Sequence, residues 1–314
     1  MKIHIIIPVH NHCENSLECL RLLSVQTWKD FDITLTDDGS TDGTYEVIRE
    51  RFPDVVVLRG DGNLWWTGSI NIALNHVLDH AQGTDYVLTL NNDTKFHADY
   101  LQKLADAAIQ RPDALIGSVA IDEHDHRKVI DPGVYFDWRT CKQTAGEFRQ
   151  GCFFSDQVNR LSGRGTLIPV RVFRTVGLYD GRRLPHYGAD YELSIRASRH
   201  GFPLCVYYGA VLYSDATVSG LKSLPHRRIS LSEALELLCS NKSVWNVKKR
   251  FYFRLLCCPG RYLPRNLLTV VKGILIVLMH VAPLWYMFTM VRQVVRVSSQ
   301  GDRDQPDSKS MGQE

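Results

Sequence analysis

The sequence predicts an α/β protein with a mostly parallel central sheet flanked by helices, followed by a C-terminal helical, membrane-associating region. Three observations predict it. Apolar runs, among them "KIHIIIPV", "FDITLTDD", "DVVVLRG" and "TDYVLTLN", alternate with segments of helical periodicity. Those runs lack polar alternation, as strands of a parallel sheet covered on both faces do. After residue 220 the character changes, and the chain turns basic and then apolar.

The elements follow in order. "KIHIIIPV" is the first strand; its apolar run ends at Pro8 and is too short for a signal peptide. "SLECLRLLSVQT" is helical, "FDITLTDD" a strand, "TYEVIRERF" a short helix and "DVVVLRG" a strand. "TGSINIALNHVLDHA" is a helix and "TDYVLTLN" the next strand. "HADYLQKLADAAIQR" is helical by the spacing of Leu101, Leu104, Ala105 and Ala108. Residues 113–185 mix short strands with loops expected to cover the sheet's rim. "DYELSIRASRHG" is a helix closing at Gly201, with arginines near the end where the dipole favours cations. This organisation gives one domain over 1–220, a basic and apolar helical region over 221–297 and a disordered polar tail over 298–314.

From Gly273 to Val291 nineteen residues carry no formal charge, flanked by Lys272 and Arg292. That length reaches the lower bound for a membrane span, although His280 and Pro283 interrupt it. An interfacial helical hairpin, with Arg261, Arg265, Lys272, Arg292 and Arg296 reaching lipid phosphates, is equally consistent. A core helix packed on the first domain is the third reading. The coincidence of apolar run and basic flanks favours membrane contact.

Composition narrows the function classes. The chain is 44% apolar and 23% charged, ordinary for a globular protein. A net charge of +3 is too mild for a nucleic-acid partner. The eight cysteines, at 13, 19, 141, 152, 205, 239, 257 and 258, form no CxxC pair and read as buried thiols in a reducing, cytoplasmic compartment.

The chemistry lies in the loops. In parallel α/β sheets ligands bind beyond the carboxyl ends of strands. "TDDGSTDGT" and "NNDT" both follow apolar strands directly, so both are expected on one rim. Asp37 and Asp38 there suit donors such as a nucleobase N–H or ribose hydroxyls, not bare phosphate. No GxxxxGK[ST] loop is present, and "GDGN" lacks the strand–turn–helix setting of a dinucleotide fingerprint. A phosphate-bearing ligand would need its charge neutralised, which a divalent cation, Mg²⁺ or Mn²⁺, held by Asp93 would do. Alone, Asn91, Asn92 and Asp93 would read as a turn.

Five segments carry a resemblance: "IIIPVHNH", "TLTDDGSTDGT", "GNLWWTGSINIAL", "LTLNNDT" and "HYGADYELSIRASRHGF". In this order and spacing the chain resembles a family 2 glycosyltransferase of GT-A (nucleotide-diphospho-sugar transferase) fold, most of all the bacterial rhamnosyltransferase-type branch that builds surface polysaccharides. The resemblance covers roughly residues 1–215. It implies an inverting transfer of a sugar, rhamnose from dTDP-rhamnose in that branch, to a hydroxyl of a lipid-linked saccharide at the inner face of the cytoplasmic membrane. By the same resemblance Pro8, Val9, His10 and Asn11 would edge the nucleotide pocket. Asp38 would contact the pyrimidine ring with Asp37 in support, and Asn71 would face the donor's phosphate or sugar. Asn91, Asn92 and Asp93 occupy the DxD-like motif, with Asn92 on ribose or sugar and Asp93 on the metal. Asp190 matches the second residue of the family's Glu-Asp motif, which supplies the catalytic base.

Asp190 alone would read as a helix cap. Inverting transfer needs one carboxylate to take the proton of the attacking hydroxyl, while the metal stabilises the departing diphosphate. The chain departs from the family pattern twice. Ala189 stands where the motif has Glu, leaving that role absent or passed to Glu192. "VLYSDATVSG" lacks the histidine that relatives use on the metal, so Asp215 would substitute, or Asp93 and the diphosphate would hold the ion alone. On the acceptor side, Trp65 and Trp66 could stack on a sugar face, one of them being as well core. Gly163, Arg164 and Gly165 could let backbone approach the acceptor or form a simple turn, and His186 of the "LPHYGA" loop is a further candidate on the acceptor side. "DEHDH" (122–126) reads as a solvated loop. Rival readings are the same chemistry on a UDP-hexose or UDP-galactofuranose, and a non-catalytic nucleotide-sugar binding module. An NAD-dependent oxidoreductase is disfavoured by the missing GxGxxG.

Overall fold

The computed structural model describes residues 1–146, 153–215, 224–225 and 227–281. The expected tail and the apolar stretch beyond residue 281 lie outside the described residues. The first strands are β1 (Ile3–Val9), β2 (Phe31–Asp37), β3 (Val56–Arg59) and β4 (Tyr86–Thr89). Between them run α1 (Cys13–Ser24), α2 (Thr44–Arg51) and α3 (Trp65–Leu78). After α4 (Tyr100–Gln110) come β5 (Leu115–Asp122), β6 (Val129–Asp131) and a small hairpin of β7 (Val134–Asp137) and β8 (Lys142–Ala145). The short β9 (Phe154–Ser155), then β10 (Thr166–Pro169), α5 (Val170–Val176), α6 (Ala189–Arg199) and β11 (Leu204–Ser214) complete this part.

The nine strands other than β7 and β8 form one sheet in the order β3-β2-β1-β4-β10-β5-β11-β9, with β6 paired to β5. Strands β1 to β4 pair in parallel, as do β5 and β11. The irregular region of the sequence therefore joins the sheet instead of only covering its rim. Strand β10 runs antiparallel between β4 and β5, with Thr166 opposite both Thr89 and Gly117.

Both faces are covered, which is why β1 shows no polar alternation. Ile3, Ile5 and Ile7 pack with Leu17, Leu20 and Leu104 on one side, and Ile6 with Ile70 and Leu74 on the other. Each such fully buried side chain contributes about 1.5–3 kcal/mol relative to exposure.

By contact density the chain forms two compact units, one of residues 1–220 and 248–267, the other of 221–247 and 268–314. Helix α8 (Val247–Cys257) accordingly sits almost wholly in the first unit, where Arg199 Nη1 donates to the Leu256 carbonyl at 2.9 Å. In the second, α7 (Leu231–Cys239) starts on a reciprocal cap: Glu233 N–H donates to Ser230 Oγ at 3.2 Å, and Ser230 N–H to Glu233 Oε2 at 2.7 Å. Helix α9 (Leu263–Met279) follows a single 3₁₀ turn, and residues 260–279 are long and apolar enough to cross a membrane. Along it Leu268, Val271, Leu275 and Met279 are exposed.

Candidate active site

The carboxyl ends of β1, β2 and β4 share one rim. Val9 pairs with Asp37 in register, and the Val9 carbonyl accepts the Asp38 N–H at 2.8 Å. Beyond Pro8 and Val9 the chain turns through two left-handed residues, Asn11 at φ 59° and His12 at φ 62°. Such backbone is uncommon outside glycine and persists where neighbours over-determine it. Here His10 donates through Nδ1 to the Asp38 carbonyl at 2.6 Å. Asn11 N–H donates to Ser40 Oγ at 2.6 Å, and Asn11 Oδ1 accepts Thr41 N–H at 2.9 Å. The β1–α1 and β2–α2 turns are thereby stitched together.

Asp37 is buried and accepts the Ser40 N–H at 2.9 Å. Asp38, also buried, accepts three amides: Gly62 at 2.8 Å and Leu64 at 3.2 Å on Oδ1, and Trp65 at 3.0 Å on Oδ2. Of the roughly four acceptor positions of a carboxylate, about one is left for a ligand. These bonds hold Trp65 at φ 58°, an unusual backbone for a bulky residue. They also demand glycine at 60, where a Cβ would lie 2.6 Å from Asp38 Oδ1.

At the end of β4, Asn91, Asn92 and Asp93 diverge. Asn91 Oδ1 accepts Trp66 Nε1–H at 3.1 Å, and Asn92 Nδ2 donates to Ser16 Oγ on α1 at 2.9 Å. Asp93 is exposed and lines a cleft of about 430 Å³ with Asn92, Arg21, Lys95, Glu123 and Asp215. That size is within the usual range for small-molecule sites. Cys19 also lines it, but burial and then the Asp93 charge push its thiol up to about 12, so it is no nucleophile. Asn71 is not among the residues of this cleft. Its amide is engaged by the Tyr179 backbone, donating at 2.9 Å and accepting at 3.1 Å.

Opposite Asp93 stands a mixed donor set. His124 Nε2 lies 3.3 Å from Asp215 Oδ2 and 3.5 Å from Glu123 Oε1, and one ligand atom from each residue falls within 4.8 Å of the others. Lys95 Nζ lies 3.1 Å from the other Glu123 oxygen. The "DEHDH" segment is therefore more than a solvated loop, since Glu123 and His124 meet Asp215 at the end of β11. Local spacing could not reveal this, because the partner is some ninety residues away. The set of Glu123, Asp215 and one imidazole fits a hard divalent cation such as Mg²⁺ or Mn²⁺, and Asp93 lines the same cleft.

Asp190 lies in the first turn of α6, after Gly188 in left-handed conformation. Its Oδ1 accepts the Tyr191 N–H at 2.8 Å and its Oδ2 the Gly163 N–H at 2.9 Å. Burial pushes the Asp190 carboxyl above the ordinary carboxylate range, and the Asp131 charge adds to it. The two amides and the Arg160 guanidinium oppose that rise. Gly163 is wedged between this carboxylate and an indole: a Cβ there would lie 2.4 Å from Trp66 Cζ2 and 3.4 Å from Asp190 Cβ. Trp66 thus links the two loops, its Nε1–H bonded to Asn91 while the same ring packs on Gly163 and lies edge-on to Tyr179.

The remaining expected residues divide. The Trp65 ring lies 5.5 Å from His186, which lies 4.2 Å from Tyr187. Arg164 carries a buried Nε without a hydrogen-bond partner among the described residues. Gly165 is structural, its N–H donating to the Thr89 carbonyl and its carbonyl accepting from Ser118 N–H at 3.0 Å. Ala189 is fully buried in an apolar cluster with Leu184 and Leu193, where a glutamate would be costly. Glu192 does not stand in for it, being held in a two-point pair by Arg196 at 2.8 and 2.9 Å. Two cations went unforeseen. Arg160 is 6% exposed between the Phe136 and Tyr191 rings, and Lys249 of α8 lies 4.8 Å from the Tyr187 ring centroid, with burial lowering its amine to about 8.

Comparison with known proteins places this architecture. Residues 4–163 match the model of Glycosyl transferase family 2. The amylovoran biosynthesis glycosyltransferase AmsB of Erwinia amylovora is 27% identical over 208 residues, 63% of this chain and 64% of that protein. An N-acetylglucosaminyl-diphospho-decaprenol L-rhamnosyltransferase of Mycobacterium tuberculosis is 27% identical over 248 residues, 72% of this chain and 80% of that protein. Among solved structures, Staphylococcus aureus TarS aligns with TM-score 0.58 at 14% identity, over 88% of this chain and 55% of that one. GalNAc-T7 with UDP, GalNAc and Mn²⁺ aligns with TM-score 0.57 at 13% identity, over 87% and 55%. The fold is the GT-A fold that the sequence motifs imply, and the chain belongs to glycosyltransferase family 2.

Proposed function

We propose that the protein is an inverting glycosyltransferase that moves a sugar from a nucleoside diphosphate donor to a hydroxyl group. The observation that carries this reading is Asp190. A carboxylate with raised proton affinity, fixed by the Gly163 and Tyr191 amides, shares the rim with the Asn91–Asp93 loop through Trp66. A general base is most useful when its pKa approaches the working pH, and burial moves Asp190 that way.

The donor's nucleoside would lie against the stitched turns of Pro8–Asn11 and Asp37–Asp38, and its diphosphate would extend toward Asn92 and Asp93. A divalent cation held by Asp93, with Asp215 and its neighbours Glu123 and His124 as further ligands, would supply charge neutralisation for the leaving diphosphate. The protein's own groups do the rest. Asp190 accepts the proton of the attacking hydroxyl, Trp66 shapes the floor between donor and base, and Trp65, Arg164 and His186 border the acceptor side.

The donor is proposed to be dTDP-rhamnose and the acceptor a lipid-linked saccharide in surface polysaccharide synthesis. The similarity to a decaprenol-linked L-rhamnosyltransferase supports both, and the exposed apolar residues of α9 fit work at the cytoplasmic membrane surface. Release of nucleoside diphosphate from a panel of nucleotide sugars, with Mg²⁺, Mn²⁺ or chelator, tests the reading. Slow metal-dependent hydrolysis of one donor, lost in Asp93→Ala, is expected. Turnover of a UDP-hexose alone would replace rhamnose. Failure of every nucleotide sugar to bind would overturn the reading.

A further inference from the structure

A second group of ligating side chains lies at the opposite end of the sheet. His4 sits on β1, 1% exposed, on the face that carries Ile6 and α3. It pairs in register with Asp32 of β2, and its Nδ1 lies 2.9 and 3.1 Å from the two Asp32 oxygens. Its Nε2 points to Asp85 Oδ2 at 3.5 Å and makes no hydrogen bond. From just beyond α3, His80 brings Nε2 to 3.9 Å from Asp32 Oδ2. One ligand atom each from His4, Asp32 and His80 falls within 4.8 Å of the others.

The outer contacts are as informative as the ligands. Histidines on a metal usually give their second ring N–H to a carbonyl or carboxylate, which fixes the tautomer. His80 Nδ1 lies 2.9 Å from the His76 carbonyl, so Nδ1 carries the proton and Nε2 presents its lone pair toward Asp32. His4 has the Asp85 carboxylate behind Nε2. Without a cation His4 Nδ1–H donates to the Asp32 carboxylate at 2.9 Å; a cation held between Nδ1 and Asp32 would displace that proton and leave the ring proton on Nε2 beside Asp85. Asp85 is itself fixed, accepting Lys2 N–H at 2.9 Å and Gln82 N–H at 2.8 Å. The half-exposed Lys2 ammonium, 3.0 Å from Asp32 Oδ2, can swing into solvent when a stronger cation arrives.

We propose that His4, Asp32 and His80 form a binding site for a borderline divalent cation of the zinc class, tying β1 and β2 to the end of α3. The donor chemistry makes the choice. Two imidazoles and one carboxylate suit Zn²⁺, Co²⁺ or Ni²⁺, with an open position for water, whereas the oxygen-rich rim suits Mg²⁺ or Mn²⁺. The chain then sorts two kinds of cation between its two ends, and the base site stabilises the fold without taking part in sugar transfer.

The experiment uses the full-length, tag-free chain stripped with chelator and titrated with Zn²⁺ by calorimetry. Co²⁺ absorption reports coordination, and a thermal melt is run with and without one equivalent of Zn²⁺. One saturable equivalent is expected, with a rise in Tm. Both are lost in His80→Ala, which changes an exposed side chain, and both persist in His124→Ala. Asp85→Asn, which disturbs only the outer contact, should weaken Zn²⁺ about 10- to 100-fold. Absence of saturable uptake would overturn the proposal and leave His4 as a buried hydrogen-bond partner of Asp32. Uptake that survives His80→Ala but is lost in His124→Ala would overturn it too, by placing the zinc at the rim.

Discussion

At the scale of single residues, Asp190 concentrates the trade between stability and chemistry. Its carboxyl is raised above the unfolded value, so the folded state prefers the protonated form. The associated stability is complete below the unfolded pKa and is lost as pH rises through the folded one. Asp190→Asn relieves that cost at pH 7 but sets an NH₂ group against the Gly163 or the Tyr191 N–H, so Tm should change little while turnover falls about 10²–10⁴-fold. A drop in Tm together with loss of donor binding would instead make the residue a structural cap. In the unmodified protein, kcat/KM should rise with pH along a limb set above the ordinary carboxylate range. Gly163→Ala tests the indole contact: a Cβ 2.4 Å from Trp66 must push the ring off Asn91. Overpacking of that kind costs about 1–3 kcal/mol. Turnover should fall further than the shift of the urea midpoint alone accounts for.

At the scale of elements, the loop between β3 and α3 hangs on one carboxylate. Asp38→Asn keeps an oxygen for the Gly62 and Leu64 amides but sets an NH₂ group against the Trp65 N–H. The expected result is a raised KM for the donor with a small change in Tm; an unchanged KM would remove Asp38 from the donor site. Much at this scale was legible in the sequence. The buried parallel strands announce themselves because Ile3 to Ile7 must satisfy a core on either face. Likewise "TDDGS" and "NNDT" fall on one rim because parallel strands end together. Asn71 was less legible. Its helix is evident, but the tie to Tyr179, 108 residues on, depends on how the loop before α6 returns. Glu123 and His124 escaped for the same reason, their partner Asp215 being supplied by a distant strand end.

At the scale of the whole molecule, the proposed membrane contact rests on composition and exposure together. Leu268, Val271, Leu275 and Met279 recur along one helix and are all exposed. Sedimentation with anionic vesicles should capture the full chain, and a Leu268→Glu, Leu275→Glu double variant should escape while still hydrolysing donor; equal capture of both would remove α9 from the membrane. The apolar stretch was plain in the sequence, whereas α9 begins ten residues earlier than the uncharged run because Leu263–Lys272 is amphipathic enough to be helical. Strand β10 has a different consequence, one for biosynthesis. It wedges between β4 and β5, joining Thr166 to Thr89 across 77 positions of chain. A ribosome that has delivered β1 to β5 has made every loop proposed to face the nucleotide, yet two inner edges still stand open to any passing strand. Closing so long a loop is slow. The half-made chain is therefore most vulnerable to misassociation until β10 arrives, and a chaperone that shields open sheet edges would serve it best in that interval.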